Sequence, residues 1–409
     1  MDVMYERCCG LDVHKQTVVA CLLEPGSGRQ PKKEIRTFGT MTDDLLELAD
    51  WLAGKQVTHV AMESTGVYWH AVWNLLEGQF ELLLVNARHI KQVPGRKTDV
   101  RDCEWIANLL RLGLLRASFV PTRTQRELRQ LTRYRTSLIR ERAAEINRIQ
   151  KTLEGANIKL GDVASDIRGV SSRRILNALI GGETDPTMLA DLAVDKLRNK
   201  LPQLERALNG QFGAHQRFLL AQQLAHLDGL DELIECLNVE IAERMQPVER
   251  VVERIDAVSG FGRRAAEIVV AEIGADLTRF PSDKHLASWV GLCPGNDESA
   301  GKRRSGRTTK GNVWLRSALT EAAQAASRTK DTYLAAHYHR LAARRGRKKA
   351  IVALAHSLLT IIYYLVTRDR DFEDLGPEYL DKHDRERTER RLIRRLEGYG
   401  YTVSRVPAA

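Results

Sequence analysis

Four carboxylates stand where phosphoryl-transfer chemistry could use them. Asp12 sits in the apolar run Cys-Cys-Gly-Leu-Asp-Val, Glu63 closes the run Thr-His-Val-Ala-Met-Glu, and Asp99 and Asp102 lie three apart. At the start of a helix, residues three apart project from one face. Hard carboxylate oxygens suit Mg²⁺, and Mn²⁺ takes the same ligands. Two such ions about 4 Å apart would stabilise the attacking and leaving oxygens of a phosphoryl transfer. Each acid also has an ordinary reading. Asp99 could cap a helix, where acids are favoured in the first turn, and Glu63 before Ser-Thr-Gly could be a turn residue. Asp12 is harder to dismiss, because a charge inside an apolar strand needs compensation and a metal supplies it.

A second group of reactive side chains lies in Asp-Glu-Ser-Ala-Gly-Lys-Arg-Arg-Ser-Gly-Arg-Thr-Thr-Lys, which holds Ser299, Ser305, Thr308 and Thr309 among Lys302, Arg303, Arg304, Arg307 and Lys310. A serine hydroxyl is a weak nucleophile until it is activated. The loop contains no histidine, which gives no support to a Ser-His-Asp hydrolase. A bound cation could activate the hydroxyl or polarise a phosphate, and the neighbouring Lys and Arg side chains could stabilise the added phosphate charge. Chemistry alone does not choose among these hydroxyls, and a basic loop that only grips DNA is the plain alternative.

Charge distribution points the same way. The window Gly301 to Ala350 holds fourteen Lys/Arg against two acids, Glu321 and Asp331, whereas the whole chain is only +10. A concentrated basic stretch on a neutral remainder fits a polyanion, and phosphate backbones release counterions when they meet it. Lys97, beside the acidic pair, belongs with these nucleic-acid contacts. So do Gly260 and Gly262 of Ser259-Gly260-Phe261-Gly262, whose turn could offer backbone amides to a phosphate at a helix N-terminus.

The elements that must position these groups follow from periodicity. Residues 8–120 alternate strands and helices: CCGLDV, TVVACLL and KKEIRTF as strands, TDDLLELADWLAG as a helix with Thr42 its N-cap, THVAME and FELLLVN as strands, VYWHAVWNLLE as a helix, and a last helix from about Asp99 to Leu115. That order predicts an α/β layer with a mixed sheet. From Thr124 to Leu153, and again from Leu220 to Met245, apolar residues recur at helical spacing until Pro247 ends the run. Two such helices about sixty residues apart predict an antiparallel coiled coil with a small helical insertion at its tip. The stretch IDAVSGFGRRAAEIVVAEIG reads as a helix-hairpin-helix, helices resume near Val313, the apolar IVALAHSLLTIIYYLV is a buried helix or a packing face, and the end is a charged helical tail.

The strings GLDVHK, AMESTGVYW and GRKTDVRDCEWIANLL closely resemble the three motifs of the DEDD transposases, the insertion-sequence family called one-ten. The C-terminal LASWVGLCPGNDESAGKRRSGRTTKGNVWLRSAL resembles the same family's second domain. The resemblance spans nearly the whole chain, weakest over about 155–215 and after about 370. It implies an RNase H-like (RuvC-like) DEDD domain over 1–120 and a coiled-coil spacer over 121–250, with its insertion at about 155–215. A mostly α C-terminal transposase domain over 251–370 and a tail over 371–409 complete the expected order. By the same resemblance, Asp12, Glu63, Asp99 and Asp102 are the metal-binding and catalytic acids, and Ser299 is the nucleophile that forms a phosphoserine link to DNA. Ala300 stands where glycine would be common. The resemblance further implies double-stranded donor and target DNA, an element-encoded guide (bridge) RNA, and a homo-oligomeric synaptic complex, dimer or tetramer. Two rivals stay open: a Holliday-junction-type nuclease that uses water, and a non-catalytic nucleic-acid-binding scaffold.

Other classes are disfavoured. The six cysteines lack CxxC spacing, which argues for a reducing compartment and against disulfides or zinc. Adjacent Cys8 and Cys9 read as small core residues. No run of about eighteen apolar residues predicts a membrane span, and the opening residues lack signal-peptide order. The expectation is a cytoplasmic, nucleoid-associated prokaryotic protein.

Overall fold

The computed structural model describes residues 3–26, 30–64, 66–86, 102–295, 297–299, 302–305, 307–383 and 385–404. The chain forms two compact units, Met1–Arg123 and Thr124–Ala409.

In the first unit, strands β1 (Cys8–Val13), β2 (Val18–Glu24), β3 (Lys32–Phe38), β4 (His59–Glu63) and β5 (Glu81–Val85) form one sheet in the order β3-β2-β1-β4-β5. β1–β2 and β2–β3 are antiparallel, whereas β1–β4 and β4–β5 are parallel, so the sheet is mixed as its sequence order predicts. The parallel pairs need crossovers, and helices α1 (Thr42–Gly54) and α2 (Trp69–Leu76) supply them. Alternation then sorts the side chains. Cys9, Leu11, Val60 and Met62 join one core with residues of α1 and α2, while Cys8 and Ala61 face the other side, with helix α3 (Asp102–Arg111). Burial pushes the Cys8 and Cys21 thiols up to about 12 and also raises Cys9 well above its usual value, so these are inert core residues, as expected.

One boundary differs from expectation and another is only partly described. The N-cap of α1 is Met41, not Thr42, because the Asp44 carboxylate accepts the Met41 amide at 3.1 Å and starts the helix one residue earlier. Helix α3 is described over Asp102–Arg111, and Asp99 and Lys97 lie outside the described residues.

The second unit is helical. Helices α4 (Arg123–Gly155) and α9 (Ala214–Met245) run antiparallel, joined by Arg135–Asn238 (3.2 Å), Arg142–Asp231 (2.8 Å) and Thr152–Gln223 (3.0 Å) across a seam of Leu138, Leu230 and Ile234. Between them, α5 (Leu160–Val163), α6 (Val170–Gly181), α7 (Pro186–Asp191) and α8 (Leu201–Leu208) pack on the far ends of the pair. They share a core with Ile149, Leu153, Leu220 and Leu224. Beyond Pro247 come α10 (Glu249–Asp256), α11 (Arg263–Ile273), α12 (Asp283–Val290), α13 (Val313–Ala326), α14 (Tyr333–Arg345) and α15 (Arg347–Thr367), followed by α16 (Tyr379–His383) and α17 (Arg385–Glu397).

Helix α15 is long and apolar enough to cross a membrane, contrary to the reading of the sequence. Its Ala350, Leu354, Ala355, Leu358, Leu359 and Ile362 are buried inside the unit, which makes it a core helix. Elsewhere the core admits charge. Arg135 and Glu267 are almost fully buried 2.7 Å apart, fastening α4 to α11. Removing one partner of such a pair strands a buried charge, typically at about 3–5 kcal/mol.

Candidate active site and nucleic-acid interface

The first cluster is built by strand parity. Leu11 of β1 is the register partner of Met62 of β4, so Asp12 and Glu63 stand one step further along neighbouring parallel strands, at their C-terminal ends. Asp12 shares the parity of Cys8 and Gly10, and Glu63 that of Ala61, so both acids belong to the face covered by α3. Gly10 sets how closely that helix approaches. A Cβ there would come within 2.4 Å of the Cys103 carbonyl oxygen and the Ala107 amide nitrogen, so the strand and helix backbones touch. Cys8 also meets the Ala107 carbonyl, so the helix runs antiparallel to β1. Its N-terminus, with exposed Asp102, therefore points toward the Asp12 end.

Asp12 is half-buried, with 26% of its side chain exposed, and its Oδ2 lies 3.2 Å from Nε2 of His14. It is therefore not the uncompensated buried charge that the apolar strand implied. Among the described residues no group of three or more His, Cys, Asp or Glu is close enough to hold a metal ion, and Asp99 falls outside them. The donor chemistry nevertheless fits a hard cation, since Asp12, Glu63 and Asp102 offer only carboxylate oxygens at one end of one sheet face.

The second cluster departs from the expected loop. Asp297–Ser299 (β6) and Lys302–Ser305 (β7) form an antiparallel hairpin in which Ser299 pairs with Lys302 and Asp297 with Ser305. Ser299 thus ends the first strand, and Lys302, Arg303 and Arg304 lie along the second. The pairing continues below: Gly295 donates to the Arg307 carbonyl at 2.7 Å, and Pro294 bridges Thr308. At the base the two chain segments cross at glycines. A Cβ on Gly311 would lie 2.3 Å from the Val290 carbonyl, and one on Gly291, at φ +79°, would lie 2.7 Å from the Thr309 carbonyl oxygen. Arg307 and Lys310 are exposed beside this crossing.

A buried polar network holds the base. Asn312 caps α13 by accepting from the Trp314 and Leu315 amides at 3.1 and 3.0 Å. Its Nδ2 donates at 2.6 Å to Glu272, which is fully buried and also accepts from Arg133 at 2.7 and 2.8 Å. Arg129 lies 3.4 Å from the same carboxylate, and burial pushes its guanidinium down to about 10 despite that attraction. Sequence reasoning missed this network. Its signals were two acids, Glu267 and Glu272, inside an apolar helix, and the many arginines of α4.

The glycine turn between α10 and α11 joins two short packed helices, as a helix-hairpin-helix requires, but its glycines differ in role. Gly260, at φ +97°, is packed: a Cβ would meet the Ala322 carbonyl at 2.4 Å. The turn therefore approaches α13 closely at this position. Gly262 is exposed and caps α11, and Arg263 beside it is held by Glu249 at 2.7 Å and Glu267 at 2.8 Å.

Two family models match this chain. The DEDD transposase model of IS110, described as "Transposase", covers residues 9–158, and "Transposase IS116/IS110/IS902 family" covers 252–339. Together they span more than half of the sequence. Among similar proteins, the transposase for insertion sequence element IS1111A of Coxiella burnetii is 27% identical over 330 residues, 78% of this chain and 81% of that protein. A probable family 20 transposase of Pseudomonas aeruginosa is 26% identical over 315 residues, 76% and 84% of the two chains. The insertion element IS116 uncharacterized 44.8 kDa protein of Streptomyces clavuligerus is 28% identical over 341 residues, 72% and 81%. With one family's models matching both the acidic region and the serine region, in order, the chain belongs to the IS110/IS116/IS902 family of transposases.

Proposed function

We propose that this transposase cuts and rejoins double-stranded DNA through a covalent phosphoserine intermediate on Ser299. Asp12, Glu63, Asp99 and Asp102 would hold Mg²⁺, or Mn²⁺. The placement of Asp12 and Glu63 at matching ends of neighbouring parallel strands, on the face bearing Asp102, carries the reading. A cation bound there would polarise phosphate oxygens and offset charge at phosphorus.

The protein's own part is a double displacement. The Ser299 hydroxyl loses its proton as its oxygen bonds to phosphorus, and the bond from phosphorus to a deoxyribose oxygen breaks. A deoxyribose hydroxyl from a second DNA end then displaces the serine oxygen and restores the phosphodiester. One P–O bond forms and one breaks in each step, so no external energy source is required. Lys302, Arg303, Arg304, Arg307 and Lys310, with Lys97 and the amides near Gly260 and Gly262, would bind phosphates. By family resemblance the reading includes an element-encoded guide RNA, an RNase H-like first domain, a coiled-coil spacer, a homo-oligomer and a cytoplasmic setting.

Denaturing electrophoresis of labelled DNA, with and without protease, tests this reading. Wild type and Ser305→Ala should give a protease-sensitive adduct, and Ser299→Ala should give none. DNA cleavage by the wild type without any adduct would replace the serine mechanism with water attack by a junction nuclease.

A further inference from the structure

The serine hairpin and its flank use only part of the basic window. Nine of the fourteen cations, from Arg316 to Lys349, lie beyond it on or between α13, α14 and α15, against the two acids Glu321 and Asp331. Between these helices is a cleft of about 620 Å³, within the roughly 300–1,000 Å³ of small-ligand sites. Its lining is divided by chemistry. Arg328, Arg347 and Lys348 are exposed at the rim, while Tyr338, Ile351 and Val352 are half-buried within. The Tyr338 ring lies edge-on to His339 at 5.2 Å, so two flat side chains flank the same wall.

The rim cations are not matched to acids. Arg328, Arg347 and Lys348 form no ion pair with a described residue, unlike the arginines of α4, which meet Glu272, Glu267 and Asp231. Two of the three also break a local rule. Arg347 and Lys348 occupy the first turn of the 21-residue helix α15, where the helix dipole disfavours cations. Gly346, at φ +80°, is the joint that turns α14 into α15 and brings this run to the cleft mouth. Unmatched cations at a disfavoured position, around a wall that is apolar and aromatic, fit a ligand that is anionic outside and flat inside.

We propose that this cleft is a second nucleic-acid site, separate from the serine hairpin, which takes an unpaired nucleotide of a single strand. The base lies against Tyr338 and the apolar floor of Ile351 and Val352, and Arg328, Arg347 and Lys348 hold the flanking phosphates. A duplex would present its phosphates without a free base face, which leaves the aromatic wall unused. The inference rests on the nucleic-acid-processing reading of this chain but not on Ser299 as nucleophile.

The test is fluorescence anisotropy of the full-length protein with labelled thymidylate and uridylate homopolymers, between about 50 and 200 mM salt. Arg328→Ala/Arg347→Ala/Lys348→Ala should lower the log–log salt slope by roughly 2, since each single-strand phosphate contact contributes about 0.7. Tyr338→Ala should weaken binding at least about five-fold with the slope kept, and Tyr338→Phe should bind like wild type, because stacking needs the ring. The tighter homopolymer identifies RNA or DNA as the source of the strand. All three positions of the triple variant are exposed, and a matching thermal melt shows that its fold is intact. An unchanged slope and affinity in the triple variant overturns the proposal, as does equally tight binding of polyglutamate. Absence of any phosphoserine adduct, with the cleft variants behaving as expected, would instead remove the serine mechanism and leave this site standing.

Discussion

Glu272 and Asn312 meet at 2.6 Å where the serine hairpin returns to the helical body, and Arg133 of the long helix grips the other side of the same buried carboxylate. One side chain thereby ties three parts of the second unit: α11, the start of α13, and α4.

Glu272→Gln keeps the shape and removes the charge. It should destabilise the protein by about 1–3 kcal/mol, the range for a buried group left poorly satisfied. Asn312→Ala removes a helix cap, at about 1 kcal/mol. Urea unfolding of both single variants and the double should reveal a coupling above about 0.5 kcal/mol. Additive effects would show that the two residues act independently.

Gly10 offers a sharper test of how Asp102 is positioned. Gly10→Val must push strand and helix backbones apart, which overpacking data place at about 1–3 kcal/mol. DNA recombination should fall further than the loss of folded protein accounts for, because Asp102 moves with α3. Gly54→Ala, where a Cβ meets nothing within 4 Å, is the control and should leave both unchanged. A Gly10→Val variant with wild-type melting and recombination would mean that the close approach is dispensable.

The strands and the long helices were legible because their burial follows simple periods. CCGLDV is apolar because both its faces are buried, and Leu220, Leu224 and Leu227 mark one face of α9. The hairpin was not legible. Lys302-Arg303-Arg304-Ser305 has neither β-branched nor aromatic residues, and its pairing comes from main-chain bonds fixed by the crossing of Gly291 and Gly311. The apolar run of α15 reads as a buried helix or a packing face, and its Leu354, Leu358 and Ile362 are buried. The chemistry of the acids was readable from motif resemblance. Their shared face needed the register Leu11–Met62 to become a spatial statement.

Asp12→Asn and Asp102→Asn should each abolish strand exchange while leaving melting and DNA affinity near wild type. The amide keeps the shape of the side chain and loses its affinity for a hard cation. Both side chains reach solvent, so neither substitution should unfold the chain. Recombination assays with added Mg²⁺ or Mn²⁺, run beside binding measurements, check this. Full activity in either variant would remove that acid from the metal set.

The last prediction concerns the hairpin's cations. β7 carries Lys302, Arg303 and Arg304, and Arg307 is exposed directly below. If they contact duplex phosphates, neutralising all four must weaken binding to every sequence alike, since phosphates carry no base information. Each lost contact lowers the log–log salt slope by roughly 0.9 on B-form DNA, so the quadruple variant should fall by between about 0.9 and 3.6. The slope separates this site from the α14–α15 cleft. Hairpin variants should change the duplex slope and leave the single-strand homopolymers bound, whereas the cleft variants should do the reverse. An unchanged duplex slope would mean that the hairpin does not touch the DNA backbone, and its cations would then need a role at the transferring phosphate itself.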